Sequence, residues 1–270
     1  FWHFRFDAHA VMKLDVLTDF IAMNDELSSV YIIGQDYSFG QVVADNTIRL
    51  LGEKRPDIEI VGNEFHPIGQ VKDFTPYVTK IASSGADAVV TGNFGADMVS
   101  LARSIIDSGL DVPIYTFYAA YDGITATLGG DGKDRIRLIH TDRANPLASD
   151  ERRDFYRAFK AKHPDSDITQ SRLANALMMV VQAMEQSQST DPYDIAVQLE
   201  DMRFTSIAGD ELWMRGEDHQ LFQPLYISKQ TDEGIEFDAD NSGFGLLTEY
   251  EVGTSETITE HSCRMRRPRR

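Results

Sequence analysis

The order of apolar and polar positions divides this chain into two unlike stretches. Up to about residue 140, short apolar runs alternate with patterns of helical period. Residues 1–6 alternate large apolar and polar side chains, which predicts a strand. Asp7 is placed to cap a helix from Ala8 to about Met23, with Leu14, Leu17 and Ile21 on one face. Residues 30–33 predict the next strand. A helix from Gly40 to Leu51 follows, on the recurrence of Val43, Thr47 and Leu50. Residues 59–61 read as a strand, and Asp73 as the cap of a helix carrying Phe74, Tyr77, Val78 and Ile81. Residues 86–90 predict a strand ending in Thr91, Gly92 and Asn93. The helix from Ala96 to Ser108 has Met98, Leu101, Ala102, Ile105 and Ile106 in one stripe, and Gly109 stops it. Strands at 112–116 and 137–140 close the run. Strand and helix alternating at such short spacing predict a doubly wound parallel sheet with helices on both faces.

Beyond residue 140 the pattern changes. Ser149 caps a helix that runs to Lys162. A second helix, from about Thr169 to Gln186, is expected to turn Leu173, Ala176, Leu177, Val180, Val181 and Met184 inward. Pro192, just after Asp191, opens a third that extends to Met202. Residues 204–214 and 221–230 read as two strands joined around 216–220. The segment from Thr231 to the end is polar and is expected to wrap the surface. No internal repeat is visible.

Composition narrows the class. At 270 residues and 42% hydrophobic, with a mean hydropathy of −0.31, the chain has room for one large or two medium domains. No apolar run approaches the ~18 residues of a membrane span. No signal peptide is visible, as for a mature secreted chain or an internal fragment. A net charge of −17 argues against nucleic-acid binding. Five arginines crowd the carboxyl end (Arg264, Arg266, Arg267, Arg269 and Arg270) and suit either a basic contact patch or a docked tail. The single cysteine, Cys263, cannot form an internal bridge.

Candidate chemistry lies in the loops after the strands, where parallel α/β sheets hold their ligands. In VYIIGQDYSFG, residues 30–40, a strand runs into a loop with two aromatic rings and several hydrogen-bonding groups. It has no nucleophile–base pair and no phosphate-cradling glycine run. The candidate ligand residues are Gln35, Tyr37 and Phe39 in this loop, Asn93 and Phe94 after the strand at 86–90, and Tyr118, Ala119 and Asp122 after the strand at 112–116.

FRFDAH near the amino end, DYSFG, HPIGQVKDF, SSGADAVVTGN and finally CRMRRP occur in that order. Their order and wording resemble the periplasmic solute-binding proteins of branched-chain amino acid ABC transporters, the Leu/Ile/Val-binding type, across essentially the whole chain. The resemblance implies a two-lobed type I periplasmic binding protein that closes on its ligand. It places the crossings between lobes near Phe6–Asp7, His140–Thr141 and Phe222–Pro224. Residues 7–140, with a strand at 223–230, would form the second lobe. Residues 141–222, with strand 1–6, would form an incomplete first lobe, and 231–270 a surface-wrapping segment. The opening βα units are expected to be missing, which would leave Leu173, Leu177, Val181 and Met184 without full cover. The resemblance also implies that Cys263 pairs with a cysteine upstream of the first strand, so it is expected near Phe1 without a partner in this chain. Phe39 and Phe94 match aromatics that pack on the family's ligands. Tyr118 falls where the Leu/Ile/Val binders carry an acidic residue for the ligand ammonium. A tyrosine is neutral at pH 7 and supplies no countercharge; Asp122 could substitute if the loop is shifted.

Other chemistry is weakly signalled. The seven histidines are scattered, with no HExxH and no close pair. Asp238, Asp240, Ser242, Gly243 and Glu249 match positions of a calcium loop, but their flanks lack the two helices and favour a solvated turn. Residues 129–133 lack phosphate-loop spacing, and no GxSxG elbow is present. The expectation is an extracytoplasmic, periplasmic binding component of an ABC importer. It would take a small amino-acid-like or organic-acid solute and dock on permease subunits. It would use no cofactor, metal, nucleic acid or membrane insertion and make no bond. A ligand-sensing receptor domain and a doubly wound hydrolase are the alternatives.

Overall fold

The computed structural model describes residues 1–269 except 120–122, 148, 165–170 and 239–240. The first stretch alternates as its pattern predicts: α1 (Ala10–Ala22), β1 (Ser29–Gln35), α2 (Ser38–Lys54), β2 (Glu59–His66), α3 (Thr75–Ser84), β3 (Ala88–Thr91), α4 (Gly95–Asp107), β4 (Ile114–Thr116), α5 (Ile124–Leu128) and β5 (Ile136–His140). Later come α6 (Asp150–Lys162), α7 (Ser171–Ser187), α8 (Pro192–Leu199), β6 (Arg203–Thr205), β7 (Glu211–Met214), β8 (Leu221–Phe222), β9 (Leu225–Thr231) and β10 (Gly245–Val252).

Among the described residues, one sheet has the order β10-β9-β5-β4-β3-β1-β2 and a second the order β6-β7-β8. Strands β5, β4, β3, β1 and β2 run parallel. β9 and β10 extend that sheet antiparallel. Every residue of β1 is buried, and the two-residue period of a strand sorts its side chains between two cores. Val30 and Ile32 face α1 and α2 with Leu14, Leu17, Val43 and Leu51. Tyr31 and Ile33 face α3 and α4 with Ile81, Met98 and Leu101. The result is a three-layer α/β/α unit, each buried Val, Ile or Leu contributing about 1.5–3 kcal/mol. A third core, Met179, Ala183, Leu199, Met202, Phe204, Leu212, Met214 and Leu221, joins α7 and α8 to the small sheet.

Several expectations need correction. Residues 1–6 form no strand; Arg5 alone makes a bridge, to Gln220, its amide donating to the His219 carbonyl and its carbonyl accepting from the Leu221 amide, both at 2.9 Å. Asp7 does not cap α1. His9 does, Nδ1 accepting from the Met12 amide at 3.4 Å, and Asp7 instead pairs with Lys13 and Arg172. The two strands expected over 204–230 are four, because the chain leaves the small sheet after Phe222 and enters the large one at Leu225. β10 breaks the expected surface wrap by pairing with β9. Beyond β10 the chain does lie over the small sheet. Arg215 donates to the Thr259 carbonyl at 2.7 Å, and Arg267 pairs with Glu200 at 2.8 Å and covers the Phe1 ring.

The inward face of α7 also differs. Ser171, Asn175, Met179 and Ala183 are buried, whereas Leu173, Leu177 and Val181 are 58%, 69% and 52% exposed and Met184 is half-buried. α8 and the small sheet cover one side of this helix, and the most apolar stripe lies on another. That uncovered stripe is the one expected at Leu173, Leu177 and Val181. Leu177→Glu is therefore expected to change the unfolding free energy by less than about 0.5 kcal/mol. Met179→Ala is expected to cost about 2–5 kcal/mol, both read from urea titration.

Cys263 is exposed and free, and it borders the same surface cavity of about 540 Å³ as Phe1. Titration with a thiol reagent should find one reactive thiol per chain in native and denatured protein alike. Fewer in the native form would show that the carboxyl-terminal segment lies otherwise.

Candidate functional site

The parallel strands deliver their loops to one edge of the sheet, and the end of each strand is shaped locally. After β1, the Asp36 amide donates to the His66 carbonyl at 2.8 Å and the Tyr37 amide to the Gln35 carbonyl at 2.9 Å. This sharp turn starts α2 at once. Gly40 is required there, because a Cβ would stand 2.0 Å from the Gln35 carbonyl oxygen. β3 and β4 each end in a threonine whose hydroxyl turns back on the chain. Thr91 Oγ1 accepts from the Asn93 amide at 3.1 Å, and Thr116 Oγ1 from the Tyr118 amide at 3.4 Å. Phe94 then stands at the start of α4.

These turns bring four of the expected residues together. Tyr37, Phe39, Tyr118 and Phe94 form a closed ring of aromatic contacts. The centroid distances are 6.1 Å for Tyr37–Phe39, 5.6 Å for Phe39–Tyr118, 6.1 Å for Tyr118–Phe94 and 6.0 Å for Phe94–Tyr37. Such tilted and edge-on pairs contribute about 0.5–1.5 kcal/mol each beyond the area they bury. Phe39 also meets the buried Phe117 edge-on at 5.6 Å and lies over Gly92, where a Cβ would press on its ring at 3.3 Å. Phe94 is the most open of the four at 40% exposure. Burial pushes the Tyr37 hydroxyl pKa up.

Three other expected residues lie beneath the ring instead of on its open face. Gln35 is buried, its Nε2 donating to Asp97 at 2.7 Å and to the Phe94 carbonyl at 3.4 Å. Asn93 is buried, its Oδ1 3.0 Å from His66 Nε2. Ala119 is buried in the core on the α3–α4 side. Gln35 and Asn93 are held in the floor by these bonds. Asp122 lies outside the described residues.

The sequence reading missed the partners that hold this floor. Asp97 accepts from Gln35 and from the Gly69 amide at 2.8 Å, so it ties the loop after β2 to α4. His66 joins β2 to Asn93 and packs edge-on against Phe74 at 4.9 Å. His66 stood in a recognisable motif. Asp97 carried no signal, being one acidic position in an apolar helical stripe.

The other candidate chemistry is absorbed structurally. Glu249 lies in β10 and pairs with Arg137 and Lys229, Asp238 accepts from the Gly243 amide, and Asp240 is outside the described residues. Residues Gly129–Gly132 form a 3₁₀ turn pinned by Gln230, which donates to the Gly129 carbonyl at 2.9 Å. Among the described residues, no group of three or more His, Cys, Asp or Glu side chains is placed to hold a metal ion. No described helix is long and apolar enough to cross a membrane.

Comparison with known proteins bears on the fold and the family. The family model described as periplasmic binding protein matches residues 1–234. A Leu/Ile/Val-binding protein homolog 4 from Brucella abortus (strain 2308) is 26% identical over 99% of this chain and 65% of its own. The chain therefore spans under two thirds of that relative's length. Among solved structures, the closed leucine-, isoleucine-, valine-, threonine- and alanine-binding protein from Brucella ovis superposes with a TM-score of 0.85. It is 22% identical, over 98% of this chain and 69% of that one. A solute-binding protein of an ABC transporter from Rhodopseudomonas palustris HaA2, in complex with p-hydroxybenzoic acid, superposes with a TM-score of 0.72. It is 18% identical, over 90% of this chain and 65% of that one. The mostly parallel sheet is that of the type I periplasmic binding proteins, and the chain belongs to the periplasmic binding protein family.

Proposed function

We propose that this chain is the solute-binding component of an ABC importer, working in the periplasm or another extracytoplasmic space. It takes up a small solute at the aromatic ring and passes it to permease subunits. The seven-stranded unit and the unit of α6–α8 with the small sheet are its two lobes, and they close on the solute by a hinge motion. The closed ring of Tyr37, Phe39, Tyr118 and Phe94 carries this reading. Four aromatic side chains on a rigid strand-end scaffold make a wall for an apolar solute, and no nucleophile and base are paired among them. The related chains are named as solute-binding proteins, which supports binding without chemistry.

The solute is small, at least partly apolar, and carries a carboxylate or amide. Tyr118 stands where an acidic partner for an ammonium group is expected, so an apolar acid or amide without that group is favoured over leucine. The Rhodopseudomonas palustris protein named with p-hydroxybenzoic acid supports that choice of probe, and the Brucella relatives support leucine as its competitor.

Calorimetry on the full chain tests this with 4-hydroxybenzoate and leucine. The acid should bind more tightly than leucine, and Phe94→Ala should weaken it by about 1–3 kcal/mol. Tyr118→Phe keeps the ring and should cost about 0.5–1.5 kcal/mol if its hydroxyl bonds the solute. Binding that survives both substitutions unchanged would place the site elsewhere.

A further inference from the structure

The four aromatic rings at the carboxyl edge of the sheet stand about a common centre. Their contacts run round the cycle Tyr37–Phe39–Tyr118–Phe94, with centroids 5.6–6.1 Å apart. Successive planes turn by 38°, 56°, 71° and 64°, so the four do not form a stack. The centre of a square with such sides lies about 4 Å from each corner, within the ~6 Å over which a ring face attracts a cation. Phe94 is exposed and the other three are half-buried, so solvent reaches every member of the cycle.

The protein places its own cations over other rings. Arg152 lies over Tyr156 at 4.8 Å, Arg215 over Phe222 at 4.7 Å and Arg267 over Phe1 at 5.7 Å. Among the described residues, no lysine or arginine lies over Tyr37, Phe39 or Phe94. A carboxylate belongs to the floor below them. Asp97 is 4% exposed, and its Oδ2 accepts from Gln35 Nε2 at 2.7 Å and from the Gly69 amide at 2.8 Å. The same Gln35 Nε2 donates to the Phe94 carbonyl at 3.4 Å, which ties this carboxylate to the Phe94 side of the cycle. Both donors to Asp97 are neutral, and among the described residues no Lys, Arg or His pairs with it. The chain as a whole carries a net charge of −17, which draws cations toward its surface.

These surroundings discriminate between kinds of cation. A primary ammonium needs hydrogen-bond acceptors for its N–H groups, and leaving them unmet away from water is costly. Ring faces are poor acceptors, Gln35 and Asn93 are buried beneath the cycle, and Tyr118 brings no carboxylate. A quaternary ammonium has no N–H to satisfy. Its methyl groups pack on ring faces while its charge meets their negative quadrupole, which is how aromatic cages hold such heads.

We propose that the cycle of Tyr37, Phe39, Phe94 and Tyr118 is an aromatic cage for a quaternary ammonium head, so that the solute is a small carboxylate carrying a trimethylated nitrogen. The inference rests on the binding function above and specifies the apolar part of its solute. The four rings surround the methyl groups, and Asp97 adds negative charge from the floor.

Calorimetry on the full chain tests the cage with trimethylglycine and 3,3-dimethylbutanoate. The second has the shape and carboxylate of the first, with carbon in place of the charged nitrogen. 4-Hydroxybenzoate is the third titrant. Trimethylglycine should bind ~10-fold or more tightly than 3,3-dimethylbutanoate. Affinity should also fall from trimethylglycine through dimethylglycine to glycine, because each methyl removed restores an N–H. The two main titrants differ in net charge as well, so Phe94→Leu isolates the ring: it keeps an apolar side chain, removes one face, and should narrow the gap between them by roughly 3-fold or more. Circular dichroism checks the fold of that variant, and the titrations of the native chain stand without it. Equal or tighter binding of 3,3-dimethylbutanoate, or a gap that Phe94→Leu leaves undiminished, overturns the cage. Binding of 4-hydroxybenzoate without binding of trimethylglycine overturns the cage alone and leaves the solute-binding reading in place. Binding of none of the three overturns both.

Discussion

The parallel strands at the centre of this protein are covered on both faces, and most of the remaining structure follows from that. Every position of β1, β3 and β4 is buried. Strands buried on two sides need a helix layer on each, and right-handed crossovers between parallel neighbours supply it. Once the layers are set, the loops that feed the helices must emerge together at the carboxyl edge. Tyr37, Phe39, Phe94 and Tyr118 belong to three such loops. Their meeting is a consequence of the sheet order β4-β3-β1 and not of proximity in the chain.

The ring of aromatics is held from below by polar side chains. Asp97 gathers Gln35 and the Gly69 amide, and His66 gathers Asn93, so loops after β1, β2 and β3 are tied to one another. Buried polar groups are tolerated where they are bonded, and bonding across several loops limits their independent movement. Gly40 and Gly92 complete the arrangement by leaving room for backbone and ring to approach. A firm floor under partly exposed rings suits recognition of an apolar solute, because little ordering remains to oppose binding.

The second unit is attached differently. Its core is small, and α7 leaves Leu173, Leu177 and Val181 exposed. Its connection to the large sheet includes charged and polar pairs: Asp7 with Arg172, and Asp210 with Tyr226. Ionic contacts between units respond to small rotations more readily than interlocked apolar side chains do, which suits a joint between moving parts.

The sequence by itself determined the alternation of strands and helices up to residue 140, the parallel sheet, and the aromatic residues at its edge. Those features rest on local periodicity and on strand-end loops, which a single stretch of chain displays. Only the tertiary structure decided the rest. β10 was hidden in a polar segment because an edge strand needs apolar side chains only where its neighbours cover it. The inward face of α7 is set by the covering surface and not by the most apolar stripe, which the chain alone does not reveal. Gln35 and Asn93 carried the right chemistry for a ligand, yet the turns after β1 and β3 direct them into the floor.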